Sequence, residues 1–148
     1  MNGISSLEGA LPEGRVQRDA ETTRAHAHDY WAFEAIHDVG GNPTTPPPAV
    51  VFPESTEEVA TVLRVADAER IAVVPFGLGS GVCGGVRPGA EAIVVDLSRM
   101  DSLLEVDASS CTARVQAGIN GGRCERLLGE RGFTLGHFPQ SIDVSTGI

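Results

Sequence analysis

The sequence predicts an α+β fold: a strand–helix–strand unit, a glycine-rich loop, a further strand, and then an antiparallel hairpin with a helix behind it. Three observations predict it. Short β-branched runs at 49–52 and 71–74 bracket an amphipathic helix. The second run empties into a loop with five glycines in the nine residues from Gly77 to Gly85. Beyond an almost wholly apolar run at 92–97, two short segments enclose the turn formers Asp107-Ala108-Ser109-Ser110.

The totals bound the problem. A chain of 148 residues is one domain's worth and long enough for a real core. A hydrophobic content of 41% with 21% charged residues is that of an ordinary globular protein. The net charge of −9 argues against nucleic acid or an anionic membrane surface as a partner. No apolar run approaches the length of a membrane span, and Met1-Asn2-Gly3-Ile4-Ser5-Ser6 lacks the charged-then-apolar pattern of a signal peptide. The three cysteines (Cys83, Cys111 and Cys124) are odd in number and have no CxxC spacing, which fits a reducing cytoplasm and no structural disulfide.

Taken in order, residues 1–14 are small and polar and read as a loose arm. Arg15 to Ile36, rich in Ala, Glu and Arg, reads as one helix that docks an aromatic stripe of Tyr30, Phe33 and His37 on the domain. His26 and His28, two residues apart on a helix, point to opposite sides, so no metal site is expected. Asp38 to Pro48 is a stiff, extended lead-in. Ala49 to Phe52 is a strand. Ser55 caps the next helix and Glu58 completes a capping box, with Val59, Val62, Leu63 and Ala66 as the stripe facing a sheet. Ile71 to Val74 is the second strand, and the unit is expected to be a right-handed βαβ crossover.

Ala92 to Leu97 reads as a buried strand. Leu103–Val106 and Thr112–Ala117 form the hairpin, with Arg114 and Gln116 on its wet face. Asn120 caps a helix that turns Cys124, Leu127 and Leu128 inward, and Gly132 ends it. Cys111 and Cys124 read as small core residues, leaving Cys83 as the thiol to test for reactivity. The stretch 133–148 has too many turn formers for a helix and carries hydroxyls at Ser141, Ser145 and Thr146. His137 reads as a histidine packed in a loop, Asp96 and Asp143 as strand-end and turn residues, and none as catalytic.

The glycine loop sits at the carboxyl end of its strand, where open α/β sheets bind ligands. Gly79, Gly81 and Gly84 fit G-x-G-x-x-G, but Val86-Arg87-Pro88-Gly89 follows instead of the helix that a dinucleotide fingerprint requires. A P-loop needs a lysine, and all eleven basic residues are arginines. Successive backbone N–H groups in a glycine-rich turn form an anion-binding nest, and phosphate or pyrophosphate is the expected guest.

Two separated motifs then carry a resemblance. Pro75-Phe76-Gly77-Leu78-Gly79-Ser80-Gly81-Val82 resembles the pyrophosphate-binding loop of the FAD-linked oxidases of the p-cresol methylhydroxylase and vanillyl-alcohol oxidase superfamily. Gly136 through Thr146, with Pro139, Gln140, Ser141, Ile142, Ser145 and Thr146, resembles that superfamily's second flavin-contacting segment. Pro47 to Pro53 and the helix after it are similar to the branch of glycolate oxidase subunits, D-lactate dehydrogenases and alkyldihydroxyacetonephosphate synthases. Leu78 and Ser80-Gly81 depart from the commoner loop pattern, and the loop has no histidine for a covalent flavin link.

The resemblance implies FAD as cofactor, with the fourteen residues named in the two motifs as its binding set. It implies a p-cresol methylhydroxylase-type FAD-binding domain over 46–148, comprising the first βαβ subdomain and the start of the second antiparallel-sheet subdomain, preceded by an arm and helix over 1–45. The expected activity is oxidation of a small-molecule 2-hydroxy acid or related alcohol. The alternatives are a synthase-like FAD-dependent alkyl transfer and a non-catalytic flavin-domain lobe. The chain reads as the N-terminal piece of a flavoenzyme, a homodimer when whole, with its catalytic groups elsewhere.

Overall fold

The computed structural model describes residues 2–146. Its centre is a four-stranded sheet in the order β1-β2-β4-β3, built from β1 (Val16–Gln17), β2 (Val50–Val51), β3 (Ala72–Phe76) and β4 (Ala92–Asp96). β2 and β3 both run parallel to β4 and flank it, so the strand–helix–strand unit crosses over one position rather than pairing its own strands. Pro75, which has no N–H to give a ladder, lies in β3 at the sheet edge, where a proline is tolerated.

Strand alternation divides the core. Val51, Ile93 and Val95 point to one face, where α1 (Asn2–Ala10) and α4 (Thr56–Glu69) bring Leu7 and Val62 against them. Val50, Val94 and Phe76 point to the other, with Phe52, Val74 and Val86. Helix α4 starts as the sequence foretells, with the Glu58 N–H donating to Ser55 Oγ at 3.1 Å. Its carboxylate does not close the capping box on Ser55. Instead it accepts the Glu54 N–H at 2.8 Å and pairs with Arg15 at 2.8 Å. Val62 and Ala66 are buried, but Leu63 is half exposed.

The N-terminal third departs from expectation. Residues 2–10 are a helix with Leu7 fully buried, not a loose arm, because the sheet face beside α4 would otherwise stay wet. The single helix expected over 15–36 is broken in three. Val16–Gln17 joins the sheet edge antiparallel to β2, Asp19 caps α2 (Ala20–Ala25), and α3 (Ala32–Val39) begins afresh after Asp29. The aromatic stripe on and just before α3 faces outward, with Tyr30 65% exposed and Phe33 58%, and the buried residue of α3 is Glu34. That inward acid is satisfied, accepting Thr44 Oγ1 at 2.5 Å and pairing with Arg87 at 2.7 Å.

The second unit is the hairpin of β5 (Leu103–Asp107) and β6 (Thr112–Val115), backed by α5 (Gly121–Gly129). Ile119, Cys124 and Leu128 form its small core, with Leu103, Val106 and Val115 against them. Cys111 is not a core residue. It is exposed in the hairpin turn at φ 53°. His137 is likewise exposed rather than packed.

Under the glycine loop lies a buried ion pair. His26 Nδ1 meets the Thr22 carbonyl at 2.8 Å and Nε2 meets Asp96 Oδ2 at 2.7 Å. Both ring nitrogens face acceptors, so the ring donates twice as an imidazolium. Burial alone pulls its pKa down, yet the Asp96 carboxylate and the Thr22 carbonyl outweigh burial and raise it above the ordinary 6.5.

This packing makes two outcomes measurable. Leu7→Ala should cost about 2–5 kcal/mol in urea unfolding, the range for a buried leucine, whereas a loose arm would make it neutral. A histidine whose folded pKa is raised contributes stability that is full below its unfolded value and fades as pH climbs through the folded value. Stability should therefore fall as pH climbs above about 6.5, the ordinary histidine value, and His26→Phe should flatten that slope, leaving a remainder from His28, whose pKa is also raised. A slope unchanged in His26→Phe would contradict this.

Candidate cofactor-binding site

β3 ends at Phe76, whose carbonyl accepts the Leu97 N–H at 2.9 Å, and the chain then leaves the sheet as an irregular loop over 77–86. The loop rests on what lies beneath it. Gly79 has a φ of +65°, and a Cβ there would sit 2.8 Å from Phe76 Cζ, so this position demands glycine twice over. Phe76 itself is buried, with its ring centroid 4.4 Å from that of His26. Its side chain is the floor of the loop rather than a surface residue.

The segment between α2 and α3 holds the loop from the side. The Tyr30 N–H donates to Gly79 O at 3.0 Å. Asp29, 1% exposed, accepts the Gly85 N–H at 2.8 Å and, more weakly, the Val86 N–H at 3.4 Å on Oδ2. Its Oδ1 accepts the Trp31 N–H at 3.1 Å. A Cβ on Gly81 would come within 2.8 Å of Asp29 Oδ2. Among the described residues, the backbone N–H groups from Leu78 to Gly84 donate to no protein acceptor.

Those of Leu78 to Gly81 lie at a cavity of about 260 Å³ walled by Pro75, Gly77, Leu78, Gly79, Ser80 and Gly81, with Asp29, Gly85 and Val86, and with Thr146 from the second motif. Sequence-distant motifs thus meet in one place. Val82 points to solvent, 66% exposed, outside the cavity lining.

The rest of the second motif builds the mount that carries Thr146. Tight turns link Ile142 N–H to Pro139 O at 3.0 Å and Val144 N–H to Ser141 O at 2.9 Å, and Ser145 Oγ donates to Ser141 O at 2.8 Å. The first N–H groups of α5 then take the motif's carbonyls, Gly121 to Ser145 O and Gly122 to Ile142 O, both at 3.0 Å. Asn120 does double service: its Oδ1 caps α5 by accepting the Arg123 N–H at 3.0 Å, and its Nδ2 donates to Asp143 O at 2.8 Å. Pro139, Gln140 and Ser141 are exposed and, like Ile142 and Ser145, lie outside the cavity lining.

The site suits a diphosphate. Unpaired N–H groups, the close approach that glycines allow, and two wall residues with hydroxyls supply donors without any lysine. A larger cavity of about 440 Å³ is lined by Glu34, His37, Asn42, Thr44 and Arg87, but it includes no residue of 75–82, and its buried acid is already paired. Among the described residues, no group of three His, Cys, Asp or Glu side chains is arranged to hold a metal ion. The sequence reading missed Asp29, although an aspartate two residues before a backbone N–H it caps is a known turn signal. It also missed Gly121-Gly122, whose bareness lets the 142–145 segment approach: a Cβ on Gly122 would collide with Asp143 Oδ1.

A family model described as an FAD binding domain matches residues 47–147. The alkyldihydroxyacetonephosphate synthase of Caenorhabditis elegans is 34% identical over 92% of this chain and 24% of its own length. Glycolate oxidase subunit GlcD of Bacillus subtilis (strain 168) is 32% identical over 68% of this chain and 21% of its own. A solved alkyldihydroxyacetonephosphate synthase superposes with a TM-score of 0.91 at 28% identity, covering 99% of this chain and 28% of that one. Substrate-bound p-cresol methylhydroxylase, at 16% identity, superposes with a TM-score of 0.72 over 88% of this chain and 24% of that one, a likeness of fold. The chain spans about a quarter of the length of the curated relatives it matches. It belongs to the FAD-binding-domain family, with the p-cresol methylhydroxylase type of fold.

Proposed function

We propose that the cavity between the glycine loop and Thr146 receives the diphosphate of FAD, in a flavoprotein that oxidises a 2-hydroxy acid or related alcohol. The observation that supports this most is the meeting of the two motifs at one cavity bordered by unpaired N–H groups. The N–H groups of Leu78 to Gly81 face the phosphate oxygens, and the Ser80 and Thr146 hydroxyls donate from the walls. Pro139 to Ser145, with the exposed Gln140 and Ser141, would hold the flavin end. FAD, when bound, supplies the two-electron acceptor. The protein's part in these residues is to bind and orient. With no histidine in the loop, the hold there is non-covalent. Three free cysteines without a CxxC pair suit a cytoplasmic setting.

A second reading has one observation of its own. The solved synthase superposes with a TM-score of 0.91, against 0.72 for p-cresol methylhydroxylase. On that reading the whole protein transfers an alkyl group with no net redox change. Anaerobic addition of 2-hydroxy acids to the whole, FAD-loaded protein separates the two: bleaching of the flavin supports the oxidoreductase, and an unbleached spectrum with each acid tried supports the transferase.

For the cofactor itself, FAD titrated into the 148-residue chain should show saturable fluorescence quenching. Gly79→Val should weaken uptake by at least about tenfold, or 1.4 kcal/mol, since its side chain meets Phe76 at a φ that valine resists. Equal uptake by wild type and by a Gly79→Val chain that still melts cooperatively would remove the loop from the site.

A further inference from the structure

We propose that Asp29 is the positioning residue of the anion loop, so that the cofactor site begins upstream of the matched domain. This rests on the FAD reading above. The family match starts at residue 47, and Asp29 lies before it, in the connection between α2 and α3. Yet this carboxylate is 1% exposed and holds the Gly85 N–H at 2.8 Å across 56 residues of chain. The next residue completes the grip, since the Tyr30 N–H donates to Gly79 O at 3.0 Å. Both ends of the stretch 79–85 are therefore tied to one short segment.

The chemistry is at first sight backward, because a fixed negative charge lines a cavity that takes an anion. By Coulomb attraction and repulsion alone, Asp29 weakens anion binding, and neutralising it tightens binding. Its geometry acts the other way. The carboxylate draws in the Gly85, Val86 and Trp31 N–H groups, and by closing the loop's exit it leaves the N–H groups of Leu78 to Gly84 without a protein acceptor, with Leu78 to Gly81 among them on the cavity wall. Its charge is engaged by three donors, while an anion at the nest meets N–H groups that belong to no one else. Positioning outweighs repulsion, and the sign of one substitution decides between them.

Asp29→Asn keeps the shape and removes the charge, but the amide offers one acceptor oxygen where the carboxylate offers two. The amide N–H₂ would face either Gly85 or Trp31, donor against donor. The expected result in the 148-residue chain is an FAD dissociation constant raised at least about tenfold. Faster amide exchange at Gly85, Val86 and Trp31, whose N–H groups Asp29 holds, should accompany it, well below the melting temperature. Asp19→Ala, which strips α2 of its cap without touching the loop, serves as the control and should lower the melting temperature with FAD affinity unchanged. Unchanged or tighter FAD binding by Asp29→Asn overturns the proposal. So does a loss of affinity that Asp19→Ala reproduces in step with its loss of stability, since that marks a merely structural role. If the wild-type chain itself takes up no FAD, the cofactor reading falls and takes this one with it. A failure confined to the Asp29→Asn comparison sinks the positioning role alone.

Discussion

The last register pair of the parallel ladder, Phe76 opposite Asp96, is the constraint on which the rest of the structure depends. β4 is buried along its whole length, so it must be paired on both sides and cannot slip without exposing Ile93 and Val95 or Val94. That fixes where β3 stops. Phe76, held at the end of the ladder, puts its ring under Gly79 and beside His26, and Asp96 across from it takes the His26 proton donor. One pair of strand ends thus sets the height of the loop and anchors the segment that holds it from the side.

Electrostatics then resolve an apparent conflict between an acidic chain and an anionic guest. At −9 the protein repels phosphate at long range, but exposed charges beyond about 8 Å are largely screened at physiological salt. What counts is the first few ångströms. There the three buried acids, Asp29, Glu34 and Asp96, are each fully engaged by N–H, hydroxyl, guanidinium or imidazole donors. Among the described residues, no buried side-chain polar atom lacks a partner. The unmatched donors lie in the loop backbone instead, which is where an anion gains most.

How much of this was legible in the sequence follows from the range of the interactions. β2, α4, β3, β4, the hairpin and α5 were readable because local signals agree with the final packing: Ser55 and Asn120 do cap helices, and the 92–96 run is buried. The glycine loop was readable because glycine loses the most backbone freedom on folding, so a dense run of it marks a place where the main chain must be approached closely. The N-terminal third was not. Ile4, Leu7 and Leu11 do fall at helical spacing, but Ser5, Ser6, Glu8 and two glycines around them read as a loose arm, and it is the distant sheet face that buries all three. Tyr30 and Phe33 look like core residues and are exposed, while Glu34 looks like a surface residue and is buried, because Arg87 and Thr44 arrive from elsewhere to pair with it. Asp29 carried a turn signal, but its partners lie 56 and 57 residues away.

The same distinction explains why two motifs are needed for one site. The glycine loop alone is an open nest on the edge of a sheet, and a nest with one wall lets water compete for every N–H group. The opposite wall comes from the second unit, through a chain of local fits: Asn120 caps α5, bare Gly121 and Gly122 let the 142–145 carbonyls seat on the helix N-terminus, and Thr146 is bridged to Asn120. That helix end is therefore occupied by the protein's own carbonyls and is not itself the anion site. Gly118, in the connection from β6 to α5, has no room for a Cβ against the Leu97 carbonyl, so the second unit is fitted closely to the end of β4. The strand that sets the height of the loop thus also sets the distance to Thr146. The cavity exists because both walls are referred to the same buried strand.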